Sequence, residues 1–540
     1  MTEEWRLRTT AVELSRRYRG WGLWDDQTLG ALIESGLRRG ASSAFRVRSR
    51  EHPWSGTLGD VHRLARRVAG GLRARGIGPG DVVAFQLPNW VEAAATFYGC
   101  SLLGAVVVPV VHFYGAHEVA HILRQSRARV FVCAAHFRHL DGLAILEQVA
   151  ARLPDLELSV VVGEAGGRRL SFDVLADAPP VDAACVADPD GPALIAYTSG
   201  TTAEPRGAVH THRSIGAEVR QLAAAAPSGP PALVGAPISH AIGLLGGLLV
   251  PVHRGQPVHM IDLWEPDVVL DAMLEDGLSA GSGATYFLTS LLDHSKLHAR
   301  HLALMRQLGL GGAPVPAAVA DRATAMGISL VRFYGCTEHP SITGGAAGDP
   351  PDRRRYSDGR PLAGVEVRVV DDGGVDLAAG EAGEILSRGP DLFAGYLDPS
   401  LTDACIDRDG WFATGDVGVL DGGYLTITDR KKDIIIRGGE NISAAEVEQQ
   451  LLLLPGVAEV AVVAAPDARL GEHACAFVRC SAGAAAPTLH QFRAHLEQVG
   501  LARQKWPEEL RVVDDLPRTA SGKVQKFVLR QSLRDGAAQT

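Results

Sequence analysis

The sequence has few cysteines, few lysines and no strongly basic region. Its 540 residues include 7 cysteines, and the absence of a Cys-x-x-Cys pair argues against a disulfide scaffold or a zinc ribbon. We therefore expect reduced thiols and a cytoplasmic location. With 53 basic and 62 acidic residues, the net charge of −9 provides no field that would attract nucleic acid. An anionic substrate must then be held by a local site.

The sequence also lacks a long, uniformly apolar segment. The first ten residues contain no apolar stretch of the kind that a secretory signal needs, so no leader is expected. Residues 93–116 carry no Asp, Glu, Lys or Arg, but they are typical of a helix followed by a buried strand, VVVPVV. A membrane-spanning helix would need about twenty uniformly apolar residues, so we expect no membrane span.

The order of strand and helix patterns predicts an α/β protein of several structural units. Helical stretches such as 58–75 alternate with short β-branched runs, which predicts a large N-terminal domain of doubly wound, mostly parallel sheets. From about residue 356, short strands with Asp-Gly and Gly-Gly turns predict antiparallel hairpins and a small β-barrel. Beyond a boundary near 431–432, a small α+β C-terminal domain is expected. It should contain a helix capped by Ser443 with Glu446 three residues on, and a strand VAEVAVVAAPD.

The most specific local pattern is a loop rich in hydroxyls and glycine that directly follows a strand. Hydroxyls and closely spaced backbone N–H groups hold phosphate oxygens, and Arg206 adds a fixed positive charge. A solvated hairpin turn is the alternative. The loop does not fit the Walker pattern, because no Gly-Lys-Ser/Thr follows. Within ALIAYTSGTTAEPRGAVHTH, the phosphate-binding candidates are Thr198, Ser199, Gly200, Thr201 and Thr202.

The segment YTSGTTAEPRGAV resembles the phosphate-loop signature of the adenylate-forming superfamily. That superfamily includes acyl-CoA synthetases, luciferases and the adenylation domains of peptide synthetases. The resemblance implies an AMP-forming ligase that uses ATP, Mg²⁺ and coenzyme A (CoA). Two positions depart from the usual YTSGTTGxPKG, since Ala203 replaces a glycine and Arg206 replaces a lysine. The change from lysine to arginine keeps the positive charge but replaces a compact ammonium group with a planar guanidinium group.

A second segment, FYGCTEHP, resembles the superfamily's YGxTE motif. The resemblance implies that Tyr334, beside Gly335, stacks on adenine and that Thr337 contacts the α-phosphate. It also implies that Glu338 holds Mg²⁺, with Thr201 as a further metal ligand. A carboxylate suits a hard cation that is shared with phosphates. Taken alone, the segment is also consistent with a loop that ends on a capping glutamate.

Two other segments resemble the superfamily's contacts to the nucleoside. Asp416, in GWFATGDVG, is implied to accept hydrogen bonds from both ribose hydroxyls. Arg430, in DRKKD, is implied to be a second ribose contact. The turn LGGAP is implied to line the adenine through Gly312, Ala313 and Pro314.

The segment LPRTASGKVQK resembles the terminal PxTxSGK motif and implies that Lys523 is catalytic. Attack of a carboxylate on the α-phosphate builds negative charge, which a mobile cation can offset. A lysine in a solvated turn is the alternative for this segment taken alone. The resemblance divides the chain into an adenylation domain (1–430), a hinge (431–432) and a mobile lid domain (433–540).

The hinge position matches Lys432. Rotation about it is implied to withdraw the catalytic lysine and to bring Gly438 and Gly439 to the active site, where they line the CoA tunnel. One site would then serve two half-reactions in turn.

The pattern around PISHAIG bears on the acid that is activated. His240 is implied to flank the acyl pocket as a catalytic candidate, and a core histidine is equally consistent. No carboxylate follows to hold an α-amine, so an amino acid is not expected. The runs VVHFYGAHEVAHILRQSRARV and GSGATYFLTSLL resemble ligases for cyclohexanecarboxylate and medium-chain acids, so we expect a hydrophobic, alicyclic or otherwise bulky acid. The remaining pocket candidates are Gly243, Gly246, Gly247, Tyr286, Gly311 and Cys336.

Several alternatives stay open at this point. The altered phosphate loop is consistent with an enzyme that only forms the thioester from a preformed acyl-adenylate. A carrier protein could accept the acyl group instead of CoA, and a homodimer is compatible with the sequence. Residues 277–281 fit the GxSxG pattern of serine hydrolases, although an expected strand, ATYFL, follows where the hydrolase elbow needs a helix. A binding module without catalysis would tolerate the loss of Glu338, Asp416 or Lys523, and all three residues are present.

Overall fold

The computed structural model describes most of the chain. The described residues are 5–167, 169–198, 205–225, 229–281, 283–313, 315–437, 440–467, 470–481, 483–499, 501–518 and 524–537.

An eight-stranded sheet forms the centre of the large domain. Five consecutive pairings are parallel and run to one edge of the sheet, and the two pairings at the other edge are antiparallel. This confirms the predicted mostly parallel sheet with helices between its strands. In spatial order the strands are Gly395–Tyr396, Arg206–Thr211, Pro192–Thr198, Val106–Pro109, Val82–Gln86, Val130–Ala134, Leu158–Val162 and Leu170–Ser171.

Two further sheets of the large domain mix parallel and antiparallel pairings. One has the order Leu233–Val234, Val258–Ile261, Ala44–Arg48 and Trp54–Thr57. The other has the order Gln307–Gly311, Ser329–Tyr334, Thr343–Gly344 and Arg360–Pro361. A small hairpin joins His136–Phe137 and Leu140–Asp141.

A wholly antiparallel sheet follows in the chain. It confirms the predicted hairpins, including a turn at Gly422 and Gly423, whose φ values are +57° and +81°. Its hydrogen bonding is open, since the first and last strands are not paired to each other, whereas the sequence predicted a barrel. Four strands are too few to curl back on themselves here. The order is Glu366–Val370, Ala382–Arg388, Phe412–Asp421 and Tyr424–Arg430.

The C-terminal part has one sheet and apolar clusters of its own, made of residues between Ile435 and Leu533. Ser443 accepts a hydrogen bond from the Glu446 N–H at 3.1 Å, which confirms the predicted helix cap. The Glu446 carboxylate pairs with Lys505 at 2.6 Å instead of returning to the cap. The strands are Glu440–Ile442, Ile435–Arg437, Gly471–Cys480 and Val457–Asp467, with Glu509–Val512 beside the third.

The helices cover the faces of these sheets. The α-helices of the large domain are Val12–Gly20, Leu29–Arg39, Leu58–Arg73, Val91–Leu103, Ala116–Ser126, Gly142–Val149, Phe172–Ala176, His212–Ala225, Ala241–Gly243, Val250–Arg254, Pro266–Asp276, Thr285–Leu292, Ala299–Leu304, Ala317–Ala325, Pro351–Tyr356 and Pro399–Asp403. Those of the C-terminal part are Ala444–Leu451, Leu489–Gln498 and Lys526–Ala537. Leu244–Leu249 is a π-helix, and the 3₁₀ turns are Ala150–Arg152, Lys431–Asp433 and Arg503–Lys505.

Two local predictions concern apolar runs. The run in residues 93–116 is a helix and then a strand, as predicted, and no helix among the described residues is both long and apolar enough to cross a bilayer. The expected strand ATYFL is wrong, because Thr285–Leu292 is a helix. Its buried residues are Leu288, Leu291 and Leu292, a spacing that fits one helical face.

Candidate active site

The predicted phosphate loop joins two antiparallel strands at the edge of the large sheet. Thr198 ends one strand and pairs directly with Arg206, which begins the next. Ser199, Gly200, Thr201 and Thr202 lie outside the described residues, so their phosphate contacts stay a prediction. Directly after the loop in the chain, the Pro205 carbonyl oxygen lies 3.0 Å from His121 Nε2.

The second predicted loop, which contains Thr337 and Glu338, lies beside this hairpin. His210, from the strand that follows the phosphate loop, is buried, and its Nε2 lies 2.7 Å from the Thr337 carbonyl oxygen. The Phe393 N–H donates to the Glu338 carbonyl oxygen at 2.8 Å. These contacts fix the backbone of the turn against the strand Arg206–Thr211, which follows the predicted phosphate loop in the chain.

The Glu338 carboxylate is held by a tyrosine. The hydroxyl of Tyr396 donates to Glu338 Oε1, and burial followed by the adjacent carboxylate raises the pKa of that tyrosine. Among the described residues, no group of three or more His, Cys, Asp or Glu side chains could hold a metal ion by itself. Mg²⁺ bound with nucleotide takes most ligands from phosphates and water, so a single carboxylate fits that role.

The two predicted ribose contacts face each other across a β-hairpin. Asp416 and Arg430 are directly paired residues of adjacent antiparallel strands, and Arg430 Nε lies 2.6 Å from Asp416 Oδ1. Tyr334 donates its hydroxyl to Asp416 Oδ2 at 2.8 Å. Asp416 Oδ1 accepts no aligned hydrogen bond from any described residue, which leaves a lone pair for an additional hydroxyl.

The predicted adenine turn lies next to Tyr334. Gly311 ends a strand that pairs in parallel with the strand ending at Tyr334, so both reach the same edge of their sheet. A ligand site at the carboxyl ends of parallel strands is the usual arrangement. Gly312 has φ +76°, and a side chain there would lie 2.8 Å from Ile242. Ala313 continues the turn, while Pro314 lies outside the described residues.

His240, the predicted pocket histidine, is the N-cap of the short helix Ala241–Gly243, two residues before Ile242. Burial lowers the pKa of His240 to about 4, so the imidazole is neutral at pH 7. Its Nε2 is buried and has no partner among the described residues. His112 lies nearby, and burial followed by the neighbouring His240 lowers the pKa of His112 to about 4.

The glycines predicted to make room for the acid differ in their surroundings. At Gly243 a Cβ would lie 2.2 Å from the Pro237 carbonyl oxygen, so close backbone packing already requires glycine there. At Gly247 a Cβ would be in ordinary contact with Val234, 3.4 Å away. At Gly246 it would meet nothing within 4 Å. Only Gly246 therefore faces open space, and the pocket roles of all three stay predictions.

Tyr286 and Cys336, also predicted for the acyl pocket, lie in different settings. Tyr286 is 43% exposed. Burial, and then the adjacent Glu338 carboxylate, raise the pKa of the Cys336 thiol well above its ordinary value, so it remains protonated.

The segment that carries the predicted catalytic lysine approaches the large domain. Lys523 lies outside the described residues, but its flanks Arg518 and Val524 form an antiparallel bridge. Burial lowers the pKa of Arg518, and Tyr286 of the large domain is close enough to act in the opposite direction. The backbone of Lys432 lies in the 3₁₀ turn that follows Arg430. Gly438 and Gly439 lie outside the described residues, so their role stays a prediction.

Sequence reasoning missed two residues that contact the site. Tyr396 and His210 touch Glu338 and Thr337 respectively. No spacing pattern pointed to Tyr396, which follows the loop in the chain by more than fifty residues. The position of His210, four residues after Arg206 on the same strand, offered a weak signal.

The GxSxG segment does not form an exposed nucleophile elbow. Ser279 is only 8% exposed, and its N–H and carbonyl group bond to Pro231 and Leu233 at 2.9 Å each. A serine nucleophile needs an accessible hydroxyl beside a base. The segment therefore supports the backbone beside the strand Leu233–Val234.

Comparison with known proteins gives matches along nearly the whole chain. Residues 47–397 match the pattern of AMP-binding enzymes, and residues 446–523 match the C-terminal domain of AMP-binding enzymes. The medium-chain fatty-acid–CoA ligase of Escherichia coli (strain K12) is 35% identical, with 96% of this chain and 92% of the relative covered. A feruloyl-CoA synthase of an Amycolatopsis species is 34% identical, over 92% and 97%. The crystal structure of ATP-bound MatB from Rhodopseudomonas palustris superimposes with a TM-score of 0.83 at 30% identity, over 93% and 99%.

Proposed function

The chain belongs to the family of AMP-binding enzymes and is an ATP-dependent, AMP-forming acid–thiol ligase, and we propose that its acid is hydrophobic and bulky or ring-containing. Its substrates are a carboxylic acid, ATP and CoA. The observation that carries the choice of acid is the open space at Gly246 together with the neutral imidazole of His240, whose pKa burial lowers. An ionised second carboxylate or an amine on the acid would find no charged partner at that histidine.

In the first half-reaction, a carboxylate oxygen of the acid attacks the α-phosphorus of ATP. The bond to the β-phosphate oxygen breaks, and pyrophosphate leaves with that electron pair. We assign the ribose hydroxyls to Asp416 and Arg430, the adenine to the Tyr334 ring, and the α-phosphate to Thr337. When bound, Mg²⁺ would neutralise phosphate charge beside Glu338. Lys523 is assigned to the charge that develops on the α-phosphate.

In the second half-reaction, the CoA thiol attacks the acyl carbonyl carbon and AMP leaves. The thiol proton goes to solvent or to the departing phosphate. We assign Lys432 as the hinge between residues 1–430 and 433–540, and Gly438 and Gly439 as the lining of the thiol arm. Rotation at the hinge would allow one site to serve both half-reactions.

A panel of acids tests the proposed substrate class. The protein is incubated with ATP, Mg²⁺, CoA and acids from acetate to octanoate, cyclohexanecarboxylate and cinnamate, and AMP, acyl-AMP and acyl-CoA are identified by mass. Preference for the larger acids is expected. Preference for acetate over all of them would contradict the assignment.

The open space at Gly246 gives a matched pair of variants. Gly246→Val should lower kcat/KM for the bulkiest acids by about tenfold, because one or two methyl groups in a pocket change binding by about 1–3 kcal/mol. Activity on acetate should change little. Gly348→Val, in an exposed loop where a Cβ would also meet nothing within 4 Å, is the control. Equal losses on all acids would place Gly246 outside the pocket.

The proposal also covers the thiol that accepts the acyl group and the oligomeric state of the protein. We assign CoA as acceptor ahead of the phosphopantetheine of a carrier protein, which presents the same thiol arm. Acyl transfer to a carrier but not to free CoA would reverse that order. A homodimer and a cytoplasmic location are expectations of the same kind, and sedimentation analysis and fractionation of the producing cells test them.

A further inference from the structure

A group of buried polar side chains lies directly behind the turn that carries Thr337 and Glu338. Glu218, His339, Ser387 and Asp391 are each 0% exposed, and Ser341 is 4% exposed. They come from the helix His212–Ala225, from the turn itself, from the strand Ala382–Arg388 and from the segment that follows this strand. Buried ionisable groups are costly unless they are paired, so this arrangement needs a physical account.

The hydrogen bonds connect these side chains into one network. His339 Nδ1 lies 2.9 Å from Ser387 Oγ, and its Nε2 lies 3.2 Å from Asp391 Oδ1. Ser341 donates its hydroxyl to Glu218 Oε1 at 2.5 Å. Asp391 can only accept when ionised, so the Nε2 of His339 carries the hydrogen in that contact.

Two carboxyl oxygens complete the network. Glu218 Oε2 and Asp391 Oδ2 are both buried, and neither receives a hydrogen bond from an N–H group or a hydroxyl of the described residues. Each carboxyl group acts on the pKa of the other, so the two lie close together, and two adjacent buried carboxyl oxygens without another partner can share one proton. Burial, with Asp391 acting in the same direction, raises the pKa of Glu218 well above its ordinary value. Burial would also raise the pKa of Asp391, but His339 holds it below its ordinary value, so Glu218 carries the proton.

This network is tied to the backbone of the site turn at both ends. The Cys336 N–H donates to the His339 carbonyl oxygen at 3.0 Å, which closes the turn around Thr337 and Glu338. Two residues after Asp391, the Phe393 N–H donates to the Glu338 carbonyl oxygen at 2.8 Å. A shift of His339 or Asp391 would therefore displace the residues that face the nucleotide.

We propose that Glu218, as the neutral member of a proton-sharing pair with Asp391, is a positioning residue that holds His339 and thereby the Thr337–Glu338 turn in the geometry that binds magnesium–ATP. Glu218 itself does not touch the nucleotide. Its contribution passes through Asp391 and His339.

Two substitutions of nearly equal size test the shared proton. Glu218→Gln keeps a permanent donor toward Asp391, whereas Glu218→Met keeps the length and removes the donor. The dissociation constant of Mg·ATP is measured by titration calorimetry, and kcat and KM for ATP and for the acid are measured in the complete reaction. Glu218→Met should weaken Mg·ATP binding by about tenfold, because supporting residues of this kind typically change site affinity by about 10–100-fold. The KM for the acid should stay unchanged.

The dissociation constant of Mg·ATP in Glu218→Gln should stay within about threefold of that of the parent chain, because the amide N–H of the glutamine replaces the shared proton. Equal weakening in both variants would overturn the proton-sharing assignment, since it would mean that an ionised Glu218 is needed. Parental Mg·ATP affinity in both variants would show that the network only fills the core.

Ser387→Ala provides a second test if Glu218→Met does not fold. This substitution removes one hydrogen-bond partner of His339 and leaves a small cavity. We expect several-fold weaker Mg·ATP binding and an unchanged KM for the acid. Unchanged binding in Ser387→Ala would overturn the proposal.

Discussion

Asp416 and Arg430 stand opposite each other on adjacent antiparallel strands, with Arg430 Nε 2.6 Å from Asp416 Oδ1. The register that begins at the turn of Gly422 and Gly423 shifts by one residue between Gly418 and Val417, and this irregularity brings Asp416 opposite Arg430. The ion pair orients a carboxylate that is only 2% exposed, and Tyr334 occupies its other oxygen. One hairpin thus presents an acceptor and a cation to the same ligand.

Asp416→Asn should raise the KM for ATP by roughly ten- to hundredfold, because a hydrogen bond to a charged group contributes about 1.5–3 kcal/mol. The KM for the acid should change little, since the acid does not contact this hairpin in our assignment. Steady-state kinetics with each substrate varied in turn provide the measurement. Asp421→Asn, at the exposed end of the same strand, is the control. An unchanged KM for ATP would remove Asp416 from the nucleotide site.

Gly335→Ala should lower the rate of adenylate formation by more than tenfold. A Cβ at this position would lie 2.0 Å from the Pro340 carbonyl oxygen and 2.8 Å from that of His339. The turn must shift to relieve these contacts, at a cost of about 1–3 kcal/mol. Trapping of acyl-AMP with hydroxylamine measures the rate, and Gly348→Ala, in open space, is the control. Full activity in Gly335→Ala would show that the turn tolerates movement.

Lys523→Ala should lower ATP–pyrophosphate exchange by about a hundredfold or more, as expected when a group that stabilises transition-state charge is lost. Thioester formation from synthetic acyl-AMP and CoA should be affected much less, because the lysine is assigned to the first half-reaction alone. Lys296→Ala, an exposed lysine paired with Asp267 at 2.8 Å, serves as the control. Exchange at the parental rate in Lys523→Ala would exclude this lysine from the mechanism.

Three histidines with lowered pKa values make the fold sensitive to acid. Burial lowers the pKa values of His112, His212 and His240 to about 4, whereas the unfolded chain binds those protons at about pH 6.5. Between about pH 4 and pH 6.5 the unfolded state therefore holds more protons than the folded state. The stabilisation that comes from the neutral histidines is fully present above about pH 6.5, and the free energy of unfolding falls as the pH drops from there toward 4. At pH 5 the loss is about 2 kcal/mol for each histidine relative to pH 7.

The matched variant for this prediction is His212→Asn. In the parent chain the Leu29 N–H donates to His212 Nδ1 at 3.2 Å, a contact that only the neutral ring can accept. An asparagine oxygen can accept the same bond without titrating. Urea-unfolding midpoints at pH 7 and pH 5 should therefore differ less in His212→Asn than in the parent chain. An equal difference would mean that His212 does not contribute to the acid sensitivity.

Local sequence chemistry predicted much of the fold. The cap at Ser443, the strand Val457–Asp467 and the glycine turn between the two ribose strands depend on neighbouring residues, whose preferences are readable along the chain. The error at ATYFL has the opposite origin. A short apolar run fits either a strand or one face of a helix, and packing of Leu288, Leu291 and Leu292 against the domain core selected the helix.

The sequence by itself determined the order of the loops, the residues assigned to ATP, and the family to which the chain belongs, because the residues of each loop are contiguous in the chain. Tertiary structure alone decided that His210 and Tyr396 support the Thr337–Glu338 turn and that Glu218 lies close to Asp391. These partners are separated by 58 to 173 positions. Neither spacing nor residue type indicates such a contact, because it exists only where packed helices and strands exclude water and leave buried polar groups no partner except one another.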